Sequence, residues 1–412
     1  MDVRNFFESA EIQNIIQRAE KLKTEKKVFS DVIDNNGNQY VDLVQEGGGV
    51  LGIALVGYTF VLEKAGIRFF NLAGASAGAI NTLLMASIKE IHQEKSEDIL
   101  AILSEQSLFD FVDGGKKVKK LIQRAVSNRS IIFTILFSFF YLKRKIVEKF
   151  GLNPGSKFER WITEILKENH ISTLSDLIKK QTELPELYYI GDNKKEPIVY
   201  DSTKIAIIAT DTTTKTKVEF PRMAELYWDL TKNDLNPSLF VRASMSIPFF
   251  FEPFAVKDIP SNGTRDNMNW QDYAGYSGIV PKEIKFVDGG LLSNFPINIF
   301  HLDGIPKKPT LGVRLSAYRE EQANTGTLSG FFSGMLDALR QQFDYDFLLK
   351  HPDYKNLICK IDADKAYNWL DFNISDKDKI GLFTLGATRA IEFLEKFNWE
   401  VYKDIRKKNL KV

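Results

Sequence analysis

An α/β fold, with a mainly parallel central sheet covered by helices on both faces, is predicted by three features of the sequence. An apolar run at 40–45 passes through three consecutive glycines into a helical pattern that reaches about Ala65. A second apolar run, 67–74, leads directly into another helix beginning near Ser76. Strand-like segments then return at 185–191, 203–211, 284–290 and 309–316. Strand, helix, strand and helix in so short a span is the pattern of parallel strands joined by helical crossovers.

The elements follow in order. Residues 6–27 place Ile12, Ile15, Ile16, Ala19 and Leu22 on one helical face, and the turn chemistry of 32–39 closes an N-terminal amphipathic arm spanning 1–38. Residues 39–320 form the α/β domain, interrupted at about 90–185 by a lysine-rich, mainly helical insertion without strands. The turn-rich stretch 258–278 reads as a loop excursion, and 309–316 as the last central strand. Residues 321–412 are mostly helical and are expected to pack on the same domain.

At 412 residues the chain can bury a sizeable core. Its formal net charge of +1 gives no global field to recruit nucleic acid, and no nucleic-acid partner is expected. A single cysteine, Cys359, excludes internal disulfides, fits a reducing compartment and reads as a buried strand residue. The N-terminus lacks the layout of a secretory signal, so a cytoplasmic location, peripheral to membranes, is expected.

The loop "EGGGVLG" (46–52) matches the glycine spacing of a dinucleotide-binding turn. That assignment requires an acidic residue about 20 positions on, at the end of the second strand. The strand ends instead in Asn71-Leu72-Ala73-Gly74, without a carboxylate. Gly74-Ala75-Ser76-Ala77-Gly78 stands there, a G-x-S-x-G elbow that turns sharply from strand to helix and holds the Ser76 hydroxyl out of the sheet edge. The helix after Ser76 aims its free N–H groups at the same spot, where they favour negative charge.

A serine hydroxyl needs a base. None of His92, His170, His301 and His351 lies in a loop following a late central strand, where a triad histidine would be placed. Asp288, at the strand end in "KFVDGGLLSNFP", is the better partner, provided burial raises its proton affinity or the geometry compensates. Asp211 in "IATDTTT" is the rival carboxylate, but its threonine-rich surroundings suggest a capped turn.

With these residues in place the chain resembles the patatin-like phospholipases. The resemblance rests on "EGGGVLG" (46–52), "GASAG" (74–78), "ATDTTTKTKVEF" (209–220), "RASMSIPFFFEPF" (242–254) and "DGGLLSNFP" (288–296), in the family's order. It implies a Ser–Asp dyad acting on lipid acyl esters without metal or other cofactor. On that resemblance Ser76 is the nucleophile, Asp288 the base, and the N–H groups of Gly47, Gly48 and Gly49 the oxyanion hole. The chain departs from many family members at Leu51, where they carry a basic residue.

The implied substrate is a phospholipid or lysophospholipid. Between Gly114 and Lys149 there are ten basic residues and one acid, Glu148, flanking the apolar tract 131–142. Such a segment suits shallow docking of 116–145 on an anionic lipid surface, a helix packed over the site or in an oligomer contact with solvated lysines, or a lid that does both. A non-catalytic lipid- or nucleotide-binding module would use the same glycine loop without an activated serine, and in a ligand-gated effector the helical insertion or the N-terminal arm would gate the dyad.

Overall fold

The computed structural model describes residues 1–125, 147–191, 194–232, 234–261, 264–317, 322 and 325–409. The apolar tract 131–142 and the basic cluster Lys143, Arg144 and Lys145 lie outside these residues. Thirteen strands are described: β1 (Val32–Asp34), β2 (Gln39–Gln45), β3 (Ile67–Ala75), β4 (Gly151–Asn153), β5 (Leu187–Gly191), β6 (Lys194–Ile198), β7 (Ile205–Asp211), β8 (Thr216–Phe220), β9 (Phe249–Phe251), β10 (Phe254–Lys257), β11 (Glu283–Asp288), β12 (Thr310–Arg314) and β13 (Ile358–Lys360). The helices are α1 (Ala10–Thr24), α2 (Gly52–Lys64), α3 (Ala77–Ser87), α4 (Ser96–Glu105), α5 (Lys116–Ala125), α6 (Ser156–Glu168), α7 (Leu174–Thr182), α8 (Ser238–Ser244), α9 (Thr264–Ala274), α10 (Leu328–Lys350), α11 (Asp376–Lys396) and α12 (Trp399–Asn409).

All strands but β4 and β9 join one sheet, which is mixed and not mainly parallel. The parallel ladder is the run β13-β12-β2-β3-β7, with β13 at its outer edge. Antiparallel partners flank it: β1, β5 and β6 on one side, and β8, β10 and β11 on the other. Where a short turn joins the two strands, connection length is the reason. β7 returns as β8 through the short turn at 212–215, and a tight turn permits only antiparallel pairing. β2 and β3 are joined by α2, a helical crossover, and run parallel. The central strands β3 and β7 are buried at every residue, as continuous apolar runs covered on both faces must be.

Helices flank the sheet and close its core. Helix α2 is apolar nearly all round and sits under α11, where the Phe60 and Phe383 rings lie 5.5 Å apart. Phe6 of the N-terminal arm adds its ring 5.4 Å from Phe383, and α1 buries Ile12, Ile15, Ala19 and Leu22. Helix α5 buries Val118 and Ile122 and leaves Lys116 and Lys117 exposed. Among the described residues no helix is long and apolar enough to cross a membrane.

Three local expectations are corrected. The turn-rich stretch 258–278 contains α9, pinned by the buried Trp270, whose ring packs edge-on 5.3 Å from Tyr227. The insertion carries a short strand, β4, which pairs with β9 through Gly151 and Asn153. Beyond 309–316 the ladder gains one more parallel strand, β13, which buries Cys359.

Candidate active site

The register of β7 brings the two candidate catalytic residues together. β8 occupies one edge of β7 along Ile207–Asp211. The other edge is shared: β3 pairs with its first half as far as Ala75 opposite Ile208, and β11 pairs with its second half from Asp288 opposite Ala209. The parallel strand and the antiparallel strand therefore meet end to end. Ser76, one residue past β3, faces Asp288, the last residue of β11.

Ser76 sits at φ 49° and ψ −116°, a conformation that side-chain-bearing residues rarely adopt and that persists only where its surroundings impose it. Here they do. The Ser76 N–H donates to Ser244 Oγ (2.9 Å), and that hydroxyl donates to the Ile208 carbonyl (2.5 Å). A Cβ on Gly74 would lie 2.3 Å from the Gly78 carbonyl carbon, and one on Gly78 2.4 Å from the Gln45 carbonyl oxygen, so the elbow closes only with glycine at both places. Ser76 stands at the N-cap of α3, yet its hydroxyl makes no capping bond. It is left for other chemistry.

The Asp288 carboxylate is buried, with Oδ1 accepting from the Gly290 N–H at 2.8 Å. Oδ2 has no well-formed hydrogen bond among the described residues. Burial raises the proton affinity of this carboxyl above the ordinary aspartate range. The adjacent Ser76 hydroxyl, the Arg340 charge and the Gly290 N–H offset part of that rise. The rival Asp211 binds the Thr213 and Thr214 N–H groups (2.7 and 3.1 Å) and the Thr214 hydroxyl, which is the capped turn expected of it. None of the four histidines hydrogen-bonds to Ser76 or Asp288 among the described residues. His301 pairs with the Tyr354 hydroxyl at 2.9 Å and packs against His351.

The glycine loop follows β2, and the pairing of Gln45 with Gly74 sets it beside the elbow. A Cβ on Gly47 would lie 3.1 Å from Ser76 Cβ. The loop is anchored by Glu46, whose buried carboxylate accepts from the Leu315 and Ser316 N–H groups (2.6 and 2.9 Å). It is anchored again by the Val50 N–H on the Trp369 carbonyl (3.0 Å). The three glycines are not equivalent. Gly47 donates its N–H to the Asn294 carbonyl at 3.0 Å, whereas the Gly48 and Gly49 N–H groups donate to no described residue. Of the three N–H groups expected to face an oxyanion, that of Gly47 is thus already engaged.

Four residues of this site were given no role from the sequence. Ser244 and Asn294 lie within stretches already singled out. Arg340 and Asp344, both on α10, carried no local signal. Asp344 accepts from Ser293 Oγ (2.7 Å) and the Phe295 N–H (2.8 Å), and burial pushes its carboxyl up to about 7 despite these donors.

A pocket opens on Ser76 and Gly49, enclosing about 690 Å³ of empty space, part of it open to solvent. Its wall is apolar, with Ile80, Leu84, Ile99, Leu103, Phe111 and Trp161 among its lining residues. The insertion supplies much of that wall, so α4 and α6 shape the space reached from Ser76. Among the described residues no group of three or more His, Cys, Asp or Glu side chains could hold a metal ion.

The family model for patatin-like phospholipase matches residues 43–301. The uncharacterized protein YqhO of Bacillus subtilis is 29% identical over 374 residues, covering 87% of this chain and 100% of its own. The crystal structure of VipD from Legionella pneumophila aligns with 90% of this chain and 70% of its own, at 14% identity and a TM-score of 0.39.

Proposed function

Because the chain belongs to the patatin-like phospholipase family, we propose that it is a serine acyl hydrolase, releasing ester-linked fatty acids from phospholipids or lysophospholipids. The observation that carries this reading is the apolar pocket that ends on Ser76, with a buried, incompletely bonded aspartate beside the hydroxyl.

In the proposed reaction the Ser76 hydroxyl attacks the ester carbonyl while its proton passes to Asp288 Oδ2. The carbonyl oxygen becomes an oxyanion that receives the Gly48 and Gly49 N–H groups, and the N-terminus of α3 favours the same charge. Collapse of the tetrahedral intermediate expels the alcohol, which takes the proton back from Asp288. Water, losing its proton to the same aspartate, then attacks the acyl-enzyme, and the fatty acid leaves as Ser76 takes that proton back from Asp288. The acyl chain lies in the apolar pocket, which excludes water from the charges that form.

A fluorophosphonate probe tests the reading, since it labels only an activated serine. Covalent label on the peptide containing Ser76, absent from Ser76→Ala, is expected. An unlabelled folded protein would favour a lipid- or nucleotide-binding module without catalysis.

The pH profile follows from the state of the base. Asp288 must be ionised to accept the proton, and burial raises its proton affinity. The acid limb of kcat/KM should therefore fall at a pH above the ordinary aspartate range of about 3.9. A limb at or below that range would contradict the role given to Asp288.

The pocket should govern chain length. Leu103→Trp puts extra volume into the wall supplied by α4, and overpacking typically costs about 1–3 kcal/mol. Turnover of a palmitoyl ester should drop about tenfold or more, while a butyryl ester reacts within about twofold of wild type. Equal losses on both esters would place the acyl chain elsewhere.

A further inference from the structure

We propose that Arg340 is a positioning residue for this reaction, holding the glycine loop so that the Gly48 N–H is presented to the oxyanion. The inference rests on the reading that Ser76 attacks an ester and that Gly48 is an oxyanion donor.

The route runs through Asn294. Arg340 donates from Nη2 to Asn294 Oδ1 at 3.1 Å. With Oδ1 taken by the guanidinium, Nδ2 of the same amide faces the loop, donating to the Gly47 carbonyl at 3.1 Å and to Glu46 Oε1 at 3.3 Å. The Gly47–Gly48 peptide is trans, so its carbonyl and N–H point in opposite directions. Gripping the Gly47 carbonyl therefore fixes the direction of the Gly48 N–H. The Asn294 backbone completes the grip by accepting the Gly47 N–H.

The guanidinium also reaches the other end of the loop. It lies over the Trp369 ring, 5.5 Å from its centre, and the Trp369 carbonyl is the acceptor that holds the Val50 N–H. A third contact, from Nε to the Gly290 carbonyl at 3.3 Å, ties Arg340 to the residue whose N–H binds Asp288 Oδ1. Asn294, Trp369 and the turn after Asp288 thus touch one side chain. The loop brings no cation of its own: residues 46–52 contain one charged group, the carboxylate of Glu46, and Leu51 is buried.

Arg340 is itself placed by its helix. Asp344, one turn further along α10, holds Ser293 Oγ and the Phe295 N–H, the neighbours of Asn294 on either side. Residues four apart lie on one helix face. A single face of α10 therefore clamps 290–295, with Asp344 fixing the backbone and Arg340 fixing the amide that reaches the loop. Arginine suits this task because its planar fork offers several donors in a fixed arrangement, which lysine lacks.

A double-mutant cycle with Asn294 tests the inference. Removing an oxyanion donor costs about 10²–10³ in kcat, and misplacing a reacting group by about 1 Å costs on the order of 10². Arg340→Met should lower kcat by about 10- to 100-fold with KM within about twofold, because ground-state binding in the apolar pocket does not involve Arg340. In the Asn294→Ala background the same change should cost at least about threefold less than in the wild type, since the route through Asn294 is cut and only the Trp369 and Gly290 contacts remain. Arg340→Lys keeps the cation but not the fork, and should fall between wild type and Arg340→Met. It serves as the first arm of the cycle if thermal unfolding shows that the methionine variant does not fold.

Wild-type kcat in Arg340→Met would overturn the inference, as would a fully additive loss in the double mutant or a loss confined to KM. Ser76→Ala, run alongside, separates the two levels. If it hydrolyses esters like wild type, the serine reading falls and this inference falls with it. If it is inactive and Arg340→Met is unimpaired, only the positioning role is refuted.

Discussion

Ser76→Ala should release fatty acid from phospholipid at a rate lower than wild type by on the order of 10⁴-fold or more, as loss of a nucleophile does in serine hydrolases. The fold should survive. Alanine fits the same small space, and the hydroxyl it removes caps no helix. The alanine variant inherits the strained backbone of residue 76, held from outside by Ser244 and the two flanking glycines. An unchanged unfolding temperature with activity lost would assign the defect to chemistry. Activity near that of wild type would remove Ser76 from the mechanism.

Asp288→Asn is expected to cost a comparable factor, about 10⁴-fold or more, because an amide oxygen cannot take the serine proton at neutral pH. Its effect on stability should have the opposite sign to most substitutions of buried residues. The folded state binds a proton at Asp288 more tightly than the unfolded chain does, because burial penalises the charge. Stability linked to this group is thus fully present below the unfolded value and is lost as pH rises through the raised folded value. At neutral pH the ionised carboxylate is a liability of the fold. Asparagine removes it and still offers an oxygen to the Gly290 N–H. An unfolding temperature equal to or above that of wild type, together with lost turnover, is the expected pair. Full activity would move the base to another group, and a collapsed fold would give Asp288 a structural task.

The site was legible in the sequence wherever a local rule forces it. Glycines 47–49, the elbow from Gly74 to Gly78, and a strand ending in Asp288 each depend on turn chemistry that a few neighbouring residues determine. What remained hidden depends on partners far along the chain. The Gly47 N–H is taken by the Asn294 carbonyl, 247 positions away, which no spacing rule announces. Arg340 and Asp344 lie in a helix with other charged residues, and only packing selects which of them face the site.

The same distinction separates the well-read parts of the fold from the rest. The crossover β2-α2-β3 follows from contiguous segments. The antiparallel flanks include pairings between segments far apart in the chain, such as β1 with β5 and β11 with β7. Helix α9 was missed because Asn262, Gly263, Asn267 and Asn269 read as turn residues. Burial of Trp270 against Tyr227 outweighs that local preference, as tertiary packing commonly does.

Incubating the protein with mixed membrane phospholipids and following the products by mass spectrometry, beside Ser76→Ala, tests catalysis by Ser76 most directly. Free fatty acid and the matching deacylated lipid should accumulate with the wild-type protein and stay at background with the alanine variant. Equal product from both proteins, or none from a folded wild type, would contradict it.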